Sequence, residues 1–208
     1  MYIPKAFQAD DPEVIAELIA SHGFATMVST GPDGLVATHV PVFYDRARGP
    51  KGTLVSHIAR ANPHGQSLDG ASVLTIFVGP HAYVSPSWYE VHPSVPTWNY
   101  AAVHAYGRAR VVTDESRLRD IVSRLVDQYE SGRAQPWSMA GLTDRYLRGM
   151  LNAIVGVEID VERIEGKLKL SQNRKPEDRR GVIAALSASD EAADKALAQY
   201  MLRHVLIE

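Results

Sequence analysis

Cysteine is absent from this 208-residue sequence. That excludes disulfides, Cys-ligated zinc, iron–sulfur clusters and thiol nucleophiles, and it fits a reducing, cytoplasmic setting. An excess of charge is lacking as well. With 22 Lys and Arg against 24 Asp and Glu, the formal net charge is -2, so nothing global draws the chain to polyanionic nucleic acid. DNA as a partner would need a local basic patch. No uninterrupted apolar run reaches the roughly 18 residues of a membrane span. The opening Met1-Tyr2-Ile3-Pro4-Lys5 lacks the apolar core and cleavage site of an export signal, so neither export nor membrane insertion is expected. Missing too are the dinucleotide-binding glycine fingerprint, the phosphate loop of NTPases, the nucleophile elbow of hydrolases and the paired-His zinc helix. His57, His64, His81, His92 and His104 never pair at i,i+4 spacing, so no dedicated metal site is expected.

What is present is the texture of a packed globule, with 45% hydrophobic residues. Asp11 as cap, Pro12 at the first helical position and Val14, Ile15, Leu18 and Ile19 on one face predict a helix that stops at Gly23. Phe24 to Thr30 and Leu35 to Phe43 read as strands joined by Gly31-Pro32-Asp33-Gly34, whose glycines are expected to supply positive φ in a hairpin turn. Thr53 to Ile58, Ala71 to Val78 and Tyr100 to Val112 are further strand-like runs, and such repetition favours an antiparallel barrel or sandwich. From Asp114 the period changes to helical, with Leu118, Ile121, Val122, Leu125, Val126 and Tyr129 on one stripe, and a second helix is expected from Thr143 to Met150. Ile154 to Val161 alternates as a strand. Gly166 is read as a turn into a separate strand, Lys167 to Ser171. Pro176 opens a helix, and Asp190 to Ile207 reads as an amphipathic one. No Gly/Ser linker or low-complexity stretch divides the chain, which predicts one domain, residues 1–208, with a helical C-terminal extension.

Three segments carry more polar chemistry than a scaffold needs. Ser56 to His64 packs His57, Arg60, Asn62 and His64 into a strand end and loop, a set that suits a phosphate and equally a polar loop in which Asn62-Pro63 starts a turn. Tyr83 to Tyr89 and Pro96 to Tyr100 concentrate aromatics around Ser85, Thr97 and Asn99. They can hold a flat heteroaromatic ring by its faces and edges, form an aromatic core under a loop, or stack nucleic-acid bases. Lys169-Leu170-Ser171-Gln172-Asn173-Arg174 offers hydroxyl, amide and cationic groups before the Pro176 helix, which also describes ordinary turn chemistry.

These segments together resemble the PaiB-like family of FMN-binding negative transcriptional regulators. The runs Ser-His-Ile-Ala-Arg-Ala-Asn-Pro (Ser56 to Pro63), Tyr-Val-Ser-Pro (Tyr83 to Pro86), Thr97-Trp98-Asn99-Tyr100 and Lys169 to Asn173 stand in the family's order. The resemblance implies a mainly β, α-decorated fold, a Greek-key antiparallel split β-barrel similar to pyridoxamine-phosphate oxidases. It also implies a homodimer with FMN held between subunits. Carried over by position, His57, Arg60 and Asn62 are expected at the phosphate. Ser85, Thr97, Trp98 and Asn99 are expected at the ribityl chain and ring. Lys169, Ser171, Gln172 and Asn173 are expected to complete the pocket, reaching it from the partner subunit. No residue stands out as a catalytic acid or base. A flavin-binding regulator is therefore the leading expectation. A flavin-dependent reductase or oxidase, or a haem-handling barrel, is the alternative. The basic residues Lys167, Lys169, Arg174, Lys175, Arg179 and Arg180 are the one local patch available to DNA.

Overall fold

The computed structural model describes residues 1–205. Eight strands and five α-helices follow one another along it: β1 (Gln8–Ala9), α1 (Pro12–Ser21), β2 (Phe24–Gly31), β3 (Gly34–Pro41), β4 (Phe43–Asp45), β5 (Thr53–Ala59), β6 (Ser72–Val84), β7 (Thr97–Val112), α2 (Glu115–Glu130), α3 (Asp144–Asn152), β8 (Ile154–Lys169), α4 (Pro176–Ala188) and α5 (Ala192–His204). The sheet runs β3-β2-β6-β7-β8-β5-β4, with β1 added to β8. The β2–β3, β2–β6, β4–β5, β5–β8 and β1–β8 pairings are antiparallel. An eight-stranded antiparallel sheet left open between β3 and β4, with helices added, is the mixed α+β split β-barrel the sequence predicts. No described helix is long and apolar enough to cross a membrane.

Helix starts follow their local chemistry. Pro12 opens α1, Asp114 caps α2 by accepting the Arg117 N–H at 2.8 Å, Thr143 caps α3 through the Tyr146 N–H, and Pro176 opens α4. The tail helix ends at His204; of its expected range, residues 206 and 207 lie outside the described residues.

Strand ends depart from expectation in three places. In the hairpin, Gly31 pairs with Gly34 across Pro32-Asp33, and of the two glycines only Gly34 takes a positive φ, 118°. Strand β6 continues through Gly79-Pro80 to Val84. At Gly79 an added Cβ would meet Ala101 Cβ and Leu18 Cδ1, both at 3.1 Å, so glycine there admits a close neighbour and does not end the strand. Strand β8 likewise passes straight through Gly166, making one 16-residue strand where two were expected. Gly166 faces Ala9 of β1, and a Cβ would lie 3.0 Å from both the Ala9 Cβ and its carbonyl. The residue serves close approach, not a turn.

The chain forms two compact units, and each is assembled from separated stretches. One comprises Met1–Leu18, Val78–Val103 and the chain from Glu165 on; the other comprises Ile19–Phe77 and His104–Ile164. The first buries Val84, Ala101 and Leu170, together with Val182 and Leu186 of α4 and Leu197 and Met201 of α5. The second packs β5 on α2 through Val55, Ile121 and Leu125, and α2 on α3 through Leu118, Leu147 and Leu151. Within it Glu158, its side chain 5% exposed, accepts from Arg48 and Arg117 at 2.6 Å and from Arg110 at 3.1 Å. A buried carboxylate needs such partners.

Candidate functional site

In the first unit, the start of β7 and the end of β8 lie side by side, and together they wall a pocket of about 190 Å³. Of the residues singled out in the sequence, Thr97, Asn99, Lys169, Ser171 and Asn173 all line it. Lys169 donates from Nζ to the Thr97 hydroxyl and to the Trp98 carbonyl at 2.5 Å. Burial and the charges of Lys167 and Arg174 hold its ammonium below the ordinary lysine range. Two cations, Lys169 and Arg174, line the pocket with Lys167 near enough to be felt, and no carboxylate or imidazole is among the described residues lining it. Repulsion of this kind is relieved by an anion.

Asn99 is 1% exposed; its amide N–H donates to Ser171 Oγ at 2.9 Å and faces Met201 Sδ at 3.7 Å, while its carbonyl oxygen is buried with no partner. Such an acceptor is costly unless a ligand or water fills it. Ser171 reaches Asn99 from a left-handed backbone, φ 66°.

The remaining predicted residues of this unit serve their own loops. Ser85 caps the short 3-10 turn Pro86–Trp88. Gln172 folds back, its Oε1 accepting the Leu170 N–H at 2.7 Å and its Nε2 donating to the Leu168 carbonyl. Trp98 is 54% exposed and meets Tyr83 edge to face at 6.2 Å.

Two residues were missing from the predicted set. Arg174 lines the pocket, lies 4.3 Å over the Tyr89 ring and donates to Ser94 Oγ at 3.2 Å. Its sequence signal was adjacency to Asn173. Asp178, 1% exposed, accepts the Glu90 and Val91 N–H groups at 2.9 and 3.1 Å, fixing the start of the loop that carries Val95 and Pro96 to the pocket wall. Nothing local marked Asp178, which read as one acid in a charged helix start.

His57, Arg60 and Asn62 belong to the second unit. His57 and Asn62 border a pocket of about 330 Å³ with Thr38 and His39. Asn62 is also the cap of the Pro63–Ser67 turn, accepting the His64 N–H at 3.0 Å. Arg60 donates from Nε to the Asn152 carbonyl at 2.7 Å and from Nη2 to the Ile154 carbonyl at 2.8 Å, fastening the α3–β8 junction. His64 is buried between Ser29 and Thr38, whose hydroxyls lie 2.8 and 2.7 Å from its ring nitrogens. Nor does the basic run around Lys167 present a continuous surface. Lys167 is 7% exposed and donates to the Tyr2 carbonyl at 3.0 Å, and Arg179 Nε is buried.

Comparison with known proteins adds three findings. Residues 1–163 match the family model described as "Putative FMN-binding domain". The chain is 36% identical, over 97% of its length and 96% of the relative's, to the protease synthase and sporulation protein PAI 2 of Bacillus subtilis. An uncharacterised protein of Emericella nidulans is 31% identical, with 78% of this chain and 79% of that one covered. Among solved structures, the FAD and heme binding protein of Mycobacterium smegmatis superposes with a TM-score of 0.59 at 18% identity, over 78% of this chain and 73% of that one. A flavocytochrome from Azotobacter vinelandii gives 0.59 at 13%, over 80% and 72%. At these identities the structures speak for the fold alone.

Proposed function

Since the chain belongs to the family of FMN-binding domains, with FMN as its cofactor, we propose that it is a homodimeric PaiB-like regulator whose first-unit pocket seats the FMN phosphate. The observation that supports this position is the lining, where Lys169 and Arg174 meet no carboxylate; burial and the neighbouring cations hold Lys169 below its usual range. A phosphate entering the pocket would restore its proton affinity and take its charged hydrogen bonds. Residues fitting the remainder of the group are also present. Asn99 holds an unfilled buried acceptor, and Thr97 and Asn173 add polar groups to the wall.

FMN when bound supplies electron transfer through its ring; the protein supplies position and electrostatics. Lys169 and Arg174 would hold the anionic end, Asn99 would accept from an N–H or O–H group, and the Tyr83–Trp98 pair would cover apolar surface. At about 190 Å³ the pocket falls short of the roughly 300–1,000 Å³ common for ligand sites. That shortfall supports a site completed by a second copy.

The test is to purify the protein, record its spectrum, identify any released cofactor, and titrate FMN while following mass by sedimentation. Micromolar or tighter FMN binding by a dimer supports the reading. A monomer that ignores FMN overturns it. For the regulator part, DNA affinity is compared with and without FMN. The reading predicts an FMN-dependent difference, and equal or absent binding in both states rejects it. The buried state of Lys167 and Arg179 Nε makes that DNA contact weak and strongly salt-dependent.

A further inference from the structure

The walls of the pocket proposed for the FMN phosphate differ in how they are held. Thr97, Asn99 and Lys169 stand on β7 and β8, whereas Val95 and Pro96 come from the loop between the Pro86–Trp88 turn and β7. From residue 90 to residue 96 that loop makes no backbone–backbone hydrogen bond among the described residues. Val91, His92, Pro93, Val95 and Pro96 are exposed. Backbone so sparsely bonded opens at little cost.

Two side chains tie the loop down. Asp178, buried in the first turn of α4, accepts the Glu90 and Val91 N–H groups at 2.9 and 3.1 Å and secures the near end. Farther along, Ser94 Oγ accepts from Arg174 Nη1 at 3.2 Å and donates to the Val91 carbonyl at 2.6 Å, and the same guanidinium lies 4.3 Å over the Tyr89 ring. The two ties differ in one respect. Asp178 does not line the pocket, while Arg174 does. Arg174 gives a face and Nη1 to the loop, and its Nε and Nη2 take no part in those contacts. That leaves one edge of the guanidinium fork, and such an edge matches two phosphate oxygens.

We propose that residues 90–96 form a strap that closes on the cofactor, a step that rests on the FMN phosphate occupying this pocket. A phosphate on the remaining edge of Arg174 fixes the guanidinium, which otherwise keeps the rotamer freedom of a long side chain. The fixed guanidinium holds Tyr89 and Ser94 from its other sides, and Val95 and Pro96 are drawn against the pocket. With the pocket empty only the Asp178 tie is firm. The outer side of the strap, with Val91, His92 and Val95 exposed, then differs between the two states and gives a regulator a cofactor-dependent face.

Cysteine is absent from the chain, so His92→Cys accepts a single spin label at an exposed position that does not line the pocket. Its motion is read by electron paramagnetic resonance without ligand, with saturating FMN, and with riboflavin, the same molecule without the phosphate. FMN affinity is measured first on the labelled protein and on its Lys169→Met variant. FMN is expected to slow the label by a factor of about two or more, and riboflavin is expected to leave it as in the apoprotein. Ser94→Ala, which lies outside the pocket lining, should abolish the FMN response and quicken FMN release about two- to tenfold, the weight of one ordinary hydrogen bond. If FMN binds in a Lys169-dependent way and the label does not slow, the strap is overturned and the phosphate placement stands. The same holds if riboflavin slows the label equally, or if Ser94→Ala responds as the native chain does. FMN binding that is absent, or indifferent to Lys169→Met, overturns the placement and the strap with it.

Discussion

Asn99 hands its amide N–H to the hydroxyl of Ser171 at 2.9 Å, and Ser171 delivers that hydroxyl from a left-handed backbone. Two effects therefore meet at position 171. Ser171→Ala removes the buried hydrogen bond and keeps the strain, and is expected to cost about 1–3 kcal/mol. Ser171→Gly removes the same bond but relieves a left-handed penalty of about 1–2 kcal/mol, partly offset by glycine's chain entropy. Urea denaturation should find the glycine variant the more stable of the two. The reverse order would show that the backbone is not strained.

Lys169→Met should weaken FMN binding about ten- to a hundredfold, the worth of a charged hydrogen bond of roughly 1.5–3 kcal/mol. Because the ammonium is held below its unfolded value, it costs the apoprotein stability that is fully missing below the folded pKa and is recovered as pH rises from there to the unfolded one. The apoprotein should thus grow slightly more stable toward pH 10, and FMN should stabilise it less there. Fluorescence titration and thermal melts at pH 7 and 9.5 check both directions.

Glu158→Gln is expected to destabilise by about 1–3 kcal/mol, since it removes charged hydrogen bonds from Arg48 and Arg117, which are themselves about a third exposed. Burial pushes this carboxyl upward, but the hydrogen bonds and charges of Arg48 and Arg117 outweigh it and set the group below its ordinary value of 4.5. A depressed carboxyl contributes stability that is complete above its unfolded pKa and lost as pH falls through the folded one. Wild-type stability should accordingly decline from about pH 5 downward, with Glu158→Gln showing a flatter decline in acid-titration melts.

Gly181→Ala reverses the usual rule for helices. Alanine in a helix interior normally gains about 1 kcal/mol over glycine. In α4, however, a Cβ at 181 would sit 2.2 Å from the Trp88 carbonyl oxygen, and such overpacking costs about 1–3 kcal/mol. A net loss of stability is expected by thermal denaturation. A gain would mean that the Pro86–Trp88 turn moves freely away from α4.

The parts of the fold that the sequence disclosed are those set by neighbours in sequence. Asp11-Pro12, Asp114, Thr143 and Pro176 each start a helix by bonds or fixed torsions within a few residues. What stayed hidden answers to distant partners. Gly79 and Gly166 look like punctuation, yet each leaves room for another segment, Ala101 with Leu18 in one case and Ala9 in the other. The site divides the same way. Thr97, Asn99 and Lys169 to Asn173 were recognisable as a polar concentration, and five of these residues share one pocket. Arg60 stood out as a cation in a polar loop, while its carbonyl partner at Asn152, 92 residues away, was invisible in the sequence. Asp178, buried beneath a loop 88 residues earlier, gave no local sign at all.

The folded-back side chain of Gln172 bears on solubility. By taking the Leu170 N–H and supplying the Leu168 carbonyl, one amide imitates the neighbouring strand that the end of β8 would otherwise recruit. Exposed backbone of that kind is a template for edge-to-edge association. The amide thus occupies backbone groups that could otherwise pair with another chain, and Gln172→Ala is expected to shorten the shelf life of concentrated samples.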